Sequence, residues 1–175
     1  MGDDSDEMRI LQPGAGVGGH CIAVDPWFIV DKTPAGARLI RAAREVNDGK
    51  PQWVLDKVAA AVQRLRAGTV QREEGQLTIA VLGLAFKPNI DDLRESPALH
   101  VAEQLLKSTR AKLCFVEPNV AALPRTLTDG VLVDLPGALE HSDIVVVLVA
   151  HREFQDLAAK LRLHQTVIDA VGVLK

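Results

Sequence analysis

The stretch Leu77-Thr78-Ile79-Ala80-Val81-Leu82-Gly83-Leu84-Ala85-Phe86-Lys87-Pro88-Asn89-Ile90-Asp91-Asp92-Leu93-Arg94-Glu95-Ser96-Pro97 decides the fold. Leu77–Phe86 is a near-continuous apolar run, the composition of a parallel-sheet strand buried on both faces. Ser96-Pro97 opens a helix, with Ser as the capping acceptor and Pro in the first turn, where its missing N–H costs nothing. Ala98, Val101, Ala102, Leu105 and Leu106 then recur at helical spacing. Downstream, Lys112–Val116 reads as a second strand stopped by Glu117-Pro118-Asn119. Val131–Leu135 reads as a short strand, Pro136–His141 as a brief helix, and Asp143–Ala150 as a central strand. Phe154–Leu163 reads as a helix and Thr166–Ala170 as a last strand. Strands alternating with helices predict an α/β fold over 77–175, a doubly wound, Rossmann-like parallel sheet.

Upstream, 36–67 reads as helical throughout. Leu39, Ile40, Ala43 and Val46 form one apolar set, and Val54, Val58, Ala61, Val62 and Leu65 another. Asn47-Asp48-Gly49-Lys50-Pro51 punctuates the two, and Thr69–Gln76 is polar enough to be a linker. Residues 1–35 are rich in Gly and Pro and read as loop. The expected organisation is therefore 1–35, a glycine-rich loop segment; 36–76, a helical connecting segment and linker; and 77–175, the α/β domain.

The chain has 175 residues, 47% hydrophobic and 25% charged, a globular composition. A net charge of −3, with 3% aromatics and no Tyr, argues against nucleic-acid binding by bulk charge or base stacking. The longest apolar runs, Ile79–Phe86 and Ile144–Ala150, are strand-sized, far short of the roughly 20 residues that span a membrane. Gly2–Glu7 is acidic, unlike a signal-peptide start, and two Cys cannot build a disulfide framework. A cytoplasmic chain with no membrane partner is expected.

Two segments carry chemistry. In Pro13-Gly14-Ala15-Gly16-Val17-Gly18-Gly19-His20-Cys21, four glycines let backbone N–H groups approach a ligand closely. No buried strand precedes them, so this is not a dinucleotide fingerprint; a loop presenting the Cys21 thiol fits better, with Asp25 close by to orient water or a cation. The alternative is a small buried thiol. Cys114 lies mid-strand and reads as core. No Cys/His pair has zinc-ligand spacing, and His100, His141, His151 and His164 show no partner pattern. In the second segment, Lys87 and Arg94 bracket the loop that leaves the first strand. With the helix start at Ser96 they suit a phosphate or diphosphate. The alternative there is a solvated loop in which both cations pair with Asp91, Asp92 and Glu95.

Taken together, Pro13-Gly14-x-Gly16-Val17-Gly18-Gly19-His20-Cys21 and Phe86-Lys87-Pro88-Asn89-x-Asp91-Asp92-x-Arg94-Glu95-Ser96-Pro97 resemble two motifs of the UDP-glucose/GDP-mannose dehydrogenase family, in family order, with the likeness running from about Leu11 to the end. Val24–Val30, Ala43–Asp48 and Val116–Asn119 look most similar to its UDP-N-acetyl-D-mannosamine branch; UDP-glucose and UDP-N-acetylglucosamine branches are the alternatives. The resemblance implies an NAD-dependent, four-electron oxidation of a nucleotide sugar at C6. Cys21 would pass through a thiohemiacetal and a thioester, and Asp25 would handle protons or water. Gly18, Phe86 and Lys87 would contact the UDP-sugar, Arg94 would reach NAD, and the 36–67 helices would form a homodimer. The family's NAD-binding domain and catalytic Lys have no counterpart here, so the chain alone is expected to be inactive. Ala15 stands where relatives often have Pro, and Val171 where they carry a substrate-contacting Lys or Arg. Met1–Arg9 looks foreign to the pattern. A non-catalytic module that binds UDP-sugar or pairs through its helices is the other expectation.

Overall fold

The computed structural model describes residues 13–68 and 72–174. Among these residues six α-helices, α1 (Asp25–Lys32), α2 (Arg38–Asp48), α3 (Lys50–Arg66), α4 (Pro97–Ser108), α5 (Leu135–His141) and α6 (Leu157–Lys160), accompany five strands, β1 (Thr78–Leu82), β2 (Lys112–Val116), β3 (Val131–Leu132), β4 (Ile144–Val147) and β5 (Thr166–Asp169). The strands form one parallel sheet in the order β3-β2-β1-β4-β5. The doubly wound α/β reading holds.

Side chains alternate across the sheet and build a core on each face. Ile79, Val81, Ile144 and Val146 pack with Val54, Val58, Val101 and Leu105 of α3 and α4. Ala80, Leu82, Val145 and Val147 pack on the other face with Ala138, Leu139, Phe154 and Leu157. The apolar set on α3 is thus consumed inside the chain: Val54 and Ala61 are completely buried. What remains outside on the helical segment is Leu39, Val46 and Trp53.

Pro51 has no N–H to donate to the Asn47 carbonyl, and the helix breaks between α2 and α3 at Gly49. The break lies beside the side chain that leaves the helix to meet the glycine loop, described below.

Several sequence expectations change. Residues 25–32 are a helix, not loop: Asp25 and Pro26 occupy its first turn and Lys32 its last, charges that suit the helix dipole. Leu77–Phe86 is strand only to Leu82, because Gly83 turns at φ 88° and Leu84 and Ala85 continue as buried loop. In place of a helix over Phe154–Leu163, a 3-10 turn (Arg152–Phe154) ends where that helix was expected to begin and a single turn of α-helix follows at Leu157–Lys160; Phe154 and Leu157 fill the core while Leu163 is exposed, so no apolar stripe sustains a longer helix. The described part of the linker is tethered. Arg72 bridges to Asp143 and to the Gln76 carbonyl, and Glu74–Gln76 forms a capped 3-10 turn. Met1–Arg9 and 69–71 lie outside the described residues.

Candidate functional site

A cleft of about 470 Å³ opens at the carboxyl ends of β1 and β4, where the strand order reverses. This is where doubly wound sheets place their ligands. Its walls are the glycine loop Pro13–Gly18, the loop after β1 (Ala85–Pro88), the chain after β4 (Leu148–Ala150), the start of α4 and Val171.

The glycine loop is docked from two sides. The Asn47 Oδ1 accepts from the Val17 N–H at 2.7 Å and its Nδ2 donates to the Val17 carbonyl at 3.3 Å. The Gly19 N–H donates to the Glu95 carbonyl at 3.3 Å. A Cβ on Gly18 would collide with the Glu95 carbonyl oxygen and come within 2.5 Å of the Pro97 ring, so glycine is required there by close approach. Gly16, at φ 143° and against the same proline ring, is required by backbone conformation as well.

The loop after β1 is held from beneath. The Glu117 Oε2 accepts from the Leu84 N–H at 2.7 Å and the Ala85 N–H at 3.1 Å. The Ser96 Oγ donates to the Leu84 carbonyl at 2.7 Å and accepts from the Leu99 N–H at 3.2 Å, so the expected cap also ties α4 to the strand end. The Phe86 ring lies against Gly19, and the Lys87 ammonium sits 5.6 Å from that ring's centroid. Lys87 makes no ion pair among the described residues.

The structure therefore brings Gly18, Phe86 and Lys87 to one cleft. Cys21 and Asp25 do not line it. Both are exposed, with the Cys21 carbonyl accepting from the Asp25 N–H at 2.8 Å at the start of α1. The exposed thiol departs from the small-buried-hydrophobe alternative. Arg94 is exposed and forked onto Asp92, 2.6 Å away at the closest. That hydrogen bond pushes the Asp92 carboxyl down to about 2. The solvated-loop alternative thus describes Arg94, while Lys87 is the cation facing the cleft. Cys114, read as core, is half-buried against it, and burial pushes its thiol up to about 11.

Three site residues escaped the sequence reading. In the sequence Asn47 reads as punctuation and as part of the Ala43–Asp48 resemblance, with no site role attached. Glu117 reads as a strand stop and as part of the Val116–Asn119 resemblance, likewise with no site role attached. His151 has partners after all, in Glu117, Asn89 and Asn119. Each pair is separated by 30 or more residues, so only the tertiary fold joins them. Among the described residues no cluster of three potential metal ligands occurs, and no helix is long and apolar enough to cross a membrane.

Comparison with known proteins adds the following. Residues 80–175 match the UDP binding domain of the UDP-glucose/GDP-mannose dehydrogenase family, and residues 1–49 match that family's central domain. The second match includes Met1–Arg9, the segment that looked foreign. A UDP-N-acetyl-D-mannosamine dehydrogenase of Escherichia coli (strain K12) is 53% identical over 95% of this chain and 40% of its own length. An NDP-N-acetyl-D-galactosaminuronic acid dehydrogenase of Ralstonia nicotianae is 48% identical over 95% of this chain and 37% of its own. Among solved structures, the UDP-N-acetyl-mannosamine dehydrogenase of Staphylococcus aureus superposes with a TM-score of 0.73 at 33% identity, covering 98% of this chain and 38% of that one. The chain spans about 40% of the length of the curated relatives it matches.

Proposed function

Because the chain belongs to the UDP-glucose/GDP-mannose dehydrogenase family, we propose that it is the nucleotide-sugar-binding portion of an NAD-dependent dehydrogenase acting at C6 of UDP-N-acetyl-D-mannosamine. The observation that carries this reading is the docking of the glycine loop onto the start of α4, which makes the thiol-bearing segment and the Phe86–Lys87 loop two walls of one cleft. Lys87 supplies the positive charge for the diphosphate. The Phe86 ring and the flat backbone at Gly18 shape the space around the sugar.

Cys21 adds its sulfur to the C6 aldehyde. After that carbon has lost its hydride to the acceptor and become an acyl carbon, water displaces the sulfur and releases a carboxylate and a proton, steps for which a thiolate is both a strong nucleophile and a good leaving group. Asp25 holds the water or takes up its proton. NAD, when bound, supplies the hydride acceptor. The residue of this chain that suits its pyrophosphate is Arg94, whose fork already grips a bidentate anion, the Asp92 carboxylate. UDP-glucose and UDP-N-acetylglucosamine are the alternative substrates.

Titration of the chain with UDP in a calorimeter tests the reading. Saturable heat that Lys87→Ala weakens is expected; no heat with UDP or any of the three UDP-sugars overturns it. The isolated chain is expected not to reduce NAD with any of them.

The second reading, a homodimer through the 36–67 segment, is favoured by Leu39 and Val46, which stand 83% and 70% exposed on α2. Light scattering is expected to show a dimer that Leu39→Asp dissociates. A wild-type monomer at all concentrations removes it.

A further inference from the structure

We propose that the buried Glu117–His151 pair is a positioning pair for the cleft, acting through the Leu84–Asn89 loop that carries Phe86 and Lys87. The inference rests on the reading of the cleft as a UDP site.

Neither side chain lines the cleft, and both are fully buried. A buried carboxylate beside a buried imidazole is costly unless every polar atom is satisfied, and here all four are. The Glu117 Oε2 accepts from the Leu84 and Ala85 N–H groups and faces His151 Nε2 at 3.1 Å. The Glu117 Oε1 accepts from the Asn119 backbone and side chain. The His151 Nδ1 accepts from the Asn89 N–H at 2.9 Å. A backbone N–H can only donate, so Nδ1 carries no hydrogen and the ring hydrogen is on Nε2, aimed at the carboxylate. An edge-on contact with Phe154, at 5.5 Å between ring centroids, holds the ring in that orientation.

The consequence is geometric. Glu117 follows β2, His151 follows β4, and the loop follows β1. The pair therefore fastens three strand ends together and grips the loop at both of its ends. At the far end the grip is reciprocal: Asn89, at φ 61°, accepts on its Oδ1 from the Arg152 N–H at 2.9 Å. The residues between the two anchors are Phe86, Lys87 and Pro88, which line the cleft. With the ends fixed, the Lys87 backbone is held over the cleft before any ligand arrives, and binding loses less to loop ordering.

The test is a double-mutant cycle read by UDP titration of the full chain. His151→Gln can still offer an amide N–H to Glu117, but the position of Nδ1, which accepts from the Asn89 N–H, is taken by a carbon that cannot accept. It is expected to weaken UDP binding about tenfold, the scale of one lost preorganising hydrogen bond. In a Lys87→Ala background the same change is expected to cost less than about twofold, because both substitutions remove the same contact. A merely structural role predicts equal losses in the two backgrounds, and that result overturns the proposal, as does undiminished binding by His151→Gln. Wild-type protein that binds no UDP overturns the cleft reading and the proposal with it. If His151→Gln fails to fold, nitrogen-15 spectra of the wild type decide. Hydrogen on Nε2, with UDP-dependent shifts of the Asn89 amide and the His151 ring, supports the proposal. Hydrogen on Nδ1, or no shift on saturation with UDP, overturns it.

Discussion

Val171 lines the cleft with an apolar side chain, at the position where the resemblance implies a Lys or Arg. Its side chain forms part of the wall, within 3.9 Å of where a Cβ on Gly14 would stand. An apolar group there does nothing for a diphosphate, whereas a guanidinium could pair with it in a fork. Val171→Arg is expected to tighten UDP binding about tenfold at low salt and to lose most of that gain in high salt, as a charge-assisted contact at a partly open site should; calorimetry at two ionic strengths checks it. Asn47 acts at the same scale from behind the glycine loop, which it docks without lining the cleft. Asn47→Ala removes both hydrogen bonds to Val17, and a thermal melt is expected to show a loss of about 1–3 kcal/mol. Asn47→Asp keeps the acceptor for the Val17 N–H but sets a carboxylate oxygen against the Val17 carbonyl, so it is expected to rescue only in part.

At the scale of elements, Ser96 joins the strand end to the helix start. Ser96→Ala removes the cap of α4 and the bond to Leu84 together. It is expected to cost about 1–2 kcal/mol by chemical denaturation and to loosen UDP binding as the Leu84–Asn89 loop gains freedom. This element was plain in the sequence, since Ser-Pro before an apolar stripe states both cap and first turn, and Lys112–Val116 was equally plain as an apolar run before a proline. The end of β1 was not legible. An apolar run reads alike as strand or buried loop, and what makes loop possible at Leu84 and Ala85 is a carboxylate more than thirty positions away standing in for a neighbouring strand. α1 was hidden for a different reason: glycines before it and Thr33-Pro34 after it gave the whole region a loop composition, although Asp25-Pro26 is itself a helix start. Pairings such as Asn47 with Val17 leave no local trace in the sequence, because the two residues lie thirty positions apart, one on α2 and one in the glycine loop, and only the tertiary fold brings them together.

For the whole molecule, the Glu117–His151 pair ties acid stability to the cleft. Burial pushes the Glu117 carboxyl up, but hydrogen bonds from His151 and the Leu84 N–H outweigh burial and hold it below its ordinary value of 4.5. A group lowered in the folded state stabilises in full above its ordinary value and loses that contribution as pH falls through the lowered one. Melting temperature is therefore expected to fall more steeply below pH 4.5 in the wild type than in Glu117→Gln, with the variant less stable at neutral pH. Parallel slopes for the two proteins would remove Glu117 from the account. The fastening of Pro13–Gly19 to the end of α2 and the start of α4 has a mechanical corollary. Cys21 follows the fastened segment by two residues, so on the proposed reading a further lobe of a longer polypeptide that swings against this chain alters its own reach while the interval from thiol to nucleotide changes little.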